Sequence, residues 1–190
     1  MNLRKALYSL ALFLTPAVAF AHTGHDASGM LAGIAHPLTG LDHLLAMLAV
    51  GLWAAQQQGP ARWMLPATFV GSLLTGGLLG FEGVEIPFME TGIAASVLAL
   101  GLLVAVAARL PVVVSVGLTA LFALTHGVAH GLELPELASP WGYACGVVAA
   151  TACLHATGYA TVRWLPGAAA PLVRIAGAAS AGTGVWLLAG

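Results

Sequence analysis

Charge is what this chain has least of. Asp, Glu, Lys and Arg together make up 7% of its 190 residues, against about 25% in a soluble domain. That scarcity, with a mean hydropathy of +0.94, excludes an ordinary water-soluble globule. The six Lys and Arg residues are scattered and form no basic patch, so no nucleic-acid surface is expected. Cysteine is almost missing. Cys145 and Cys153 are the only two, in one apolar run, about 12 Å apart by helix rise. That is too far for a disulfide, and they read as packing residues. No Cys-rich motif points to Cu(I) or an iron–sulfur cluster. No phosphate-binding loop of the G-x-x-x-x-G-K-[ST] type occurs, so transport driven by this chain's own ATP hydrolysis is excluded. Neither a soluble domain nor a long linker interrupts the apolar stretches.

What is there is mostly membrane. Arg4 and Lys5 precede an apolar core over 6–20, and Ala19-Phe20-Ala21 fits the small-x-small cleavage rule of a secretory signal. The expected division is a signal peptide over 1–21 and a six-helix transmembrane domain over 22–190. Six apolar runs follow the signal, at about 31–54, 64–80, 89–108, 111–131, 140–161 and 170–189. Each is near the ~20 residues that cross a bilayer core. The second is short and glycine-rich, with uncertain ends. The fold class is thus all-α, a polytopic membrane protein of six spans after a cleaved signal, in the bacterial inner membrane.

Orientation follows from charge. With His22 outside, the alternating loops place Arg62, Arg109, Arg163 and Arg174 on the cytoplasmic side and Glu82, Glu85, Glu90, Glu133 and Glu136 on the other, as the positive-inside rule requires. Both ends of the mature chain are then periplasmic. Small residues, as in the runs 71–77 and 177–182, favour close helix contact.

Ionisable groups inside such spans are costly and mark functional sites. The first cluster is His36-Pro-Leu-Thr-Gly-Leu-Asp-His43, with Met47 one turn later. His36 and His43 share a helix face, but their Cα atoms would lie ~10 Å apart in a regular helix. Pro37 pushes His36 out of the helical region and Gly40 tolerates unusual angles, so a broken helix start is expected to fold His36 back toward Asp42 and His43. Asp42 either binds a metal itself or orients a histidine. The second cluster is His126-Gly-Val-Ala-His130-Gly-Leu-Glu133, in which His126, His130 and Glu133 share one face. Its spacing resembles the H-E-x-x-H motif of zinc proteases, but Gly127 replaces the catalytic Glu, and no enzyme is expected.

Both clusters fall in the outer halves of their spans, so they are expected to form one shared site. His155 should lie some 20 Å deeper by helix rise, either as a later station or as a core histidine. His22 and His25 stand outside, as metal-catching or merely solvated residues. Nitrogen donors with some carboxylate and thioether suit Ni²⁺, Co²⁺, Cu²⁺ or Zn²⁺ rather than Mg²⁺ or Ca²⁺. A bis-His haem protein and an accessory membrane subunit are the alternatives.

These residues also resemble a known family. His36-Pro37-x-x-Gly40-x-Asp42-His43, running into Leu-Leu-Ala-Met-Leu-Ala-Val-Gly-Leu-Trp53, is similar to the first-span signature of HupE/UreJ proteins, and 126–133 is similar to their later histidine motif. The resemblance covers essentially the whole chain. It implies uptake of nickel, with cobalt next, in support of metalloenzymes such as hydrogenase or urease. It implies that His36, Asp42, His43, His126, His130 and Glu133 serve metal transfer, with Met47, His155, His22 and His25 as weaker candidates. The ion is cargo, and no permanent cofactor is expected. The implied partners are the metal ion, the bilayer, an outer-membrane metal receptor or metalloenzyme maturation proteins, with an oligomer left open.

Overall fold

The computed structural model describes residues 25–136 and 138–190, and among these every regular element is helical. The signal-peptide assignment and His22 lie outside the described residues. Seven α-helices follow one another: α1 His25–Thr39, α2 Leu41–Gln56, α3 Ala61–Phe81, α4 Met89–Ala105, α5 Val112–Leu132, α6 Pro140–Trp164 and α7 Ala170–Leu188, the last preceded by a single 3-10 turn at Gly167–Ala169.

The first apolar run is not one straight span. α1 and α2 meet at Gly40 with a bend of 82°. Pro37 and Gly40 were both expected to supply the break; the chain turns at Gly40, while His36, ahead of Pro37, remains helical. Pro37 lies in the last turn of α1. The carbonyls there find other donors: the Thr39 hydroxyl donates to Ala35 and His36, and the Gly40 N–H donates to His36. Gly40 itself takes an ordinary extended conformation (φ −78°, ψ 112°). Its role is space, because a Cβ there would lie 3.1 Å from Asp42 Oδ1 and 3.3 Å from His43 Nδ1.

α3, α5, α6 and the stretch Gly167–Leu188 are each long and apolar enough to cross a membrane, and the bent α1–α2 pair makes a fifth such unit. α3, read as short from the sequence, has 21 residues. The run 89–108 instead gives a 17-residue helix, because the chain leaves the helix around Ala107, whose φ is +50°. The carbonyls at this end of α4 are capped from elsewhere. Trp53 Nε1 and Gln57 Nε2 donate to Ala108, Gln56 Nε2 to Val104 and Arg174 Nε to Ala105. Those bonds satisfy carbonyls that a helix terminus leaves free and tie α2, α4 and α7 together.

Glycine sets the helix pairing. α3 and α5 run parallel, with Gly76 against Leu124 and Gly127, and Gly80 against Val128 and Gly131. The α1–α2 unit runs parallel to α6 through Gly33 with Tyr143 and Gly51 with His155, while α4 and α7 are antiparallel through Gly101 and Gly177. At these positions a Cβ would collide with a facing backbone, the small-residue contact that brings helices together in lipid. The runs singled out in the sequence are not uniform: Gly76 and Gly177 are contact points, whereas Gly71 and Gly182 face open space. Cys145 and Cys153, expected in the packing, are exposed and free. Exposed apolar side chains such as Val113, Leu121, Leu172 and Trp186 give the outer surface a lipid-compatible character.

This packing predicts that Gly127→Ala lowers the melting temperature of the detergent-purified protein. Gly71→Ala should leave it equal or higher, because Ala gains about 1 kcal/mol of helix propensity without meeting a neighbour. Equal losses at both positions would mean that the glycine contacts do not position the helices.

Candidate metal centre

The break at Gly40 places α2's first turn against the end of α5, and the two histidine motifs meet there. The His43 ring centre lies 4.6 Å from that of His126 and 4.6 Å from that of His130. His36, at the end of α1, is 5.7 Å from His43 and 4.9 Å from His130. All four contacts are edge-on. Among the described residues, His36, His43 and His130 each offer a ligand atom within 4.8 Å of the others. Nitrogen ligands at ~2.0–2.1 Å around one tetrahedral ion lie about 3.4 Å apart, so a small inward shift of the rings closes a shell. His43, His126 and His130 are buried, whereas His36 is partly open to the outside.

The partners of each ring show which nitrogen faces inward. Asp42 Oδ1 accepts from the His43 backbone N–H and from His43 Nδ1, both at 2.7 Å. This leaves His43 Nε2 without a partner. Glu133 Oε2 lies 2.8 Å from His36 Nε2, which leaves Nδ1 of that ring for a ligand. The same contact holds the Glu133 carboxyl below its usual carboxylate range, so it stays an acceptor. His126 Nε2 is 2.8 Å from Ser96 Oγ, whose only proton goes to the Ile93 carbonyl at 2.6 Å. Ser96 must therefore accept, His126 carries its proton on Nε2, and the buried Nδ1 is unpartnered. Neither nitrogen of His130 has a partner. Buried polar atoms left in this state cost about 1–3 kcal/mol each, and a bound cation removes that cost. The hydrogen-bonded carboxylate–histidine pairs have the arrangement found behind metal-bound imidazoles.

The arrangement fits a cation electrostatically. Asp42 lies in the first turn of α2, where the helix dipole alone would repel positive charge. The Asp42 and Glu133 carboxylates, both partly open to the surface, stand beside the imidazoles and would balance the charge of a divalent ion.

The family model described as HupE / UreJ protein matches residues 10–187. The chain belongs to the HupE/UreJ family. A curated HupE/UreJ relative, "Protein HupE" of Rhizobium leguminosarum bv. viciae, is 44% identical over 191 residues, covering 100% of both chains. No solved structure matches significantly. HupE/UreJ proteins are membrane proteins associated with metal transport.

The remaining sequence candidates are placed differently. Met47 is fully buried, and its sulfur accepts from Thr151 Oγ1 at 3.3 Å. His155 was expected some 20 Å deeper than the clusters. Instead it shares a neighbour with His126: Phe69 is 6.1 Å from His126 and 5.0 Å from His155, which puts the two imidazoles no more than about 11 Å apart. Helix rise gave the wrong offset because it counts along α6 alone and ignores how far inside the bundle His126 already sits. His25 begins α1, and its side chain, like His22, lies outside the described residues.

Ser96, Phe69 and Tyr143 were missed. Tyr143 packs 6.0 Å from His36 with its hydroxyl buried and unpartnered. Ser96 carried a faint signal, being a lone hydroxyl in the middle of an apolar run, whereas Phe69 looked like any core aromatic. The pairing predicts that Asp42→Asn weakens Ni²⁺ binding by about 10–100-fold with the fold intact, as measured by titration calorimetry. Unchanged affinity would show that Asp42 does not orient His43 for a ligand.

Proposed function

We propose that the protein moves a divalent transition metal, nickel before cobalt, through the inner membrane into the cytoplasm for metalloenzymes such as hydrogenase or urease. The carrying observation is that ligand atoms of His36, His43 and His130 lie within 4.8 Å of one another, with His126 packed against His43 and a carboxylate bonded to each of His36 and His43. The family's association with nickel and cobalt transport supports the choice of ion, as does the preference of imidazole for borderline metals.

In this reading the ion enters past His36, Tyr143 and Glu133, sheds water onto the histidines and is released inward. His36, His43, His126 and His130 are ligands, and Asp42 and Glu133 orient rings and balance charge. The six spans are the bent α1–α2 unit, α3, α4, α5, α6 and α7, with a cleaved signal before them. Two features support this count. The parallel α3 and α5 both begin at an Arg-bearing end and finish at a Glu-bearing end, and α4 and α7 are antiparallel. The close edge-on packing of the rings favours an ion over a haem, which needs a flat slot between its two axial imidazoles.

Radiolabelled Ni²⁺ uptake into cells tests the reading. His43→Ala and His130→Ala should each lower the initial rate at least about tenfold, with the double variant little worse than either. Losses that multiply would mean independent sites, and unchanged uptake in both would refute transport through the cluster. Imidazole must be neutral to bind metal, so uptake should also fall when external acid protonates the histidines. A rate that climbs steadily with acidification would contradict histidine-limited entry.

A further inference from the structure

His155 is buried at 4% exposure, and neither of its ring nitrogens has a hydrogen-bond partner. A histidine that only filled space would carry two unsatisfied polar atoms at a cost that an apolar side chain avoids. Its surroundings connect it to the four-histidine cluster along two lines. On one side Phe69, fully buried, stands edge-on to His155 and beside His126. On the other, Met47 lies one turn beyond His43 on α2, and Thr151 lies one turn before His155 on α6. These two residues meet through the hydroxyl–sulfur contact, and both are 0% exposed. The backbones are pressed together at the same level, where a Cβ on Gly51 would collide with the His155 carbonyl. Thr151 and His155, four residues apart, share one face of α6, and Met47 touches Thr151, so a nitrogen, an oxygen and a sulfur donor are buried neighbours on the side of α6 that faces α2.

We propose that His155, with Thr151 and Met47, is a second binding station for a dehydrated divalent transition metal, and that the Phe69 ring separates it from the four-histidine cluster. This rests on the transport reading above. The donor set suits a borderline or soft ion and offers little to Mg²⁺, which needs oxygen ligands and keeps its water. A transported ion needs sites firm enough to strip water yet weak enough to release. The cluster holds four imidazoles with two carboxylates nearby, while the inner station, His155, Thr151 and Met47, has one imidazole, two weak donors and no carboxylate of its own. It binds more loosely, which gives the ion a downhill exit only when the cytoplasm keeps free metal scarce. Phe69 between them blocks hydrated ions, because its apolar ring replaces no water ligand.

The test uses the full-length protein in proteoliposomes loaded with a Ni²⁺-sensitive dye, together with equilibrium dialysis against Ni²⁺. Wild type should bind two ions per chain, one tightly and one weakly. His155→Ala should keep the tight ion, lose the weak one, and lower Vmax at least tenfold with KM changed less than twofold. A retained tight ion shows that the variant is folded. Thr151→Val keeps the side-chain volume and removes only the donor, and it should lower Vmax about threefold, giving a second reading if His155→Ala does not fold. Phe69→Leu should admit Mg²⁺ at a rate measurable with a Mg²⁺ dye, where wild type admits none. Wild-type Vmax in both His155→Ala and Thr151→Val, or two ions still bound by His155→Ala, overturns the second station. Should His43→Ala abolish uptake in the same vesicles while His155→Ala has no effect, only the second station falls. Should His43→Ala have no effect, the transport reading falls with it.

Discussion

The structure depends on keeping carboxylates and unpartnered imidazole nitrogens at one place in an apolar bundle, which the proposed cargo ion would balance. Bare carboxylates there are costly. Asp42 and Glu133 are tolerable because each is hydrogen-bonded to a histidine, at 2.7 and 2.8 Å. The same bonds orient His43 and His36 so that their free nitrogens point to a common centre. One device thus serves desolvation, tautomer and geometry together. Ser96 does for His126 with a neutral acceptor what the carboxylates do for the other two. His130 has no such partner and is positioned by packing alone.

Bringing these groups together requires two features of the backbone. The 82° bend at Gly40 lets residues seven apart in sequence place their ring centres 5.7 Å apart, which a continuous helix forbids. The glycine faces then let α3 press on α5, and α6 on α1 and α2, with backbone in contact. That closeness seats His126 beside Phe69 and Phe69 beside His155. A bundle held apart by larger side chains would leave room for water among the rings.

The sequence made the chemistry legible and the distances only partly so. His36, Asp42, His43, His126, His130 and Glu133 stood out because ionisable groups are rare in apolar runs, and helix periodicity put 126, 130 and 133 on one side. The need for a break before His43 followed from the ~10 Å that a regular helix imposes. Of the two residues expected to supply it, Gly40 does so and Pro37 does not, because Thr39 and the Gly40 N–H supply donors to the last turn of α1 and keep His36 helical. Ser96 and Phe69 were hidden because their roles depend on which faces of α3 and α4 meet α5, and no local pattern encodes that. The depth of His155 was misjudged for the same reason, since helix rise measures position along one helix and not proximity across the bundle.

The central claim is that imidazoles from both motifs enter one coordination shell. Ni K-edge X-ray absorption of the purified full-length protein loaded with one equivalent of Ni²⁺ tests it most directly. The account predicts a first shell of nitrogen and oxygen at about 2.0–2.1 Å, with outer-shell scattering from at least three imidazoles that falls by one in both His43→Ala and His130→Ala. A shell with one imidazole or none, or one that either variant leaves unchanged, would contradict it.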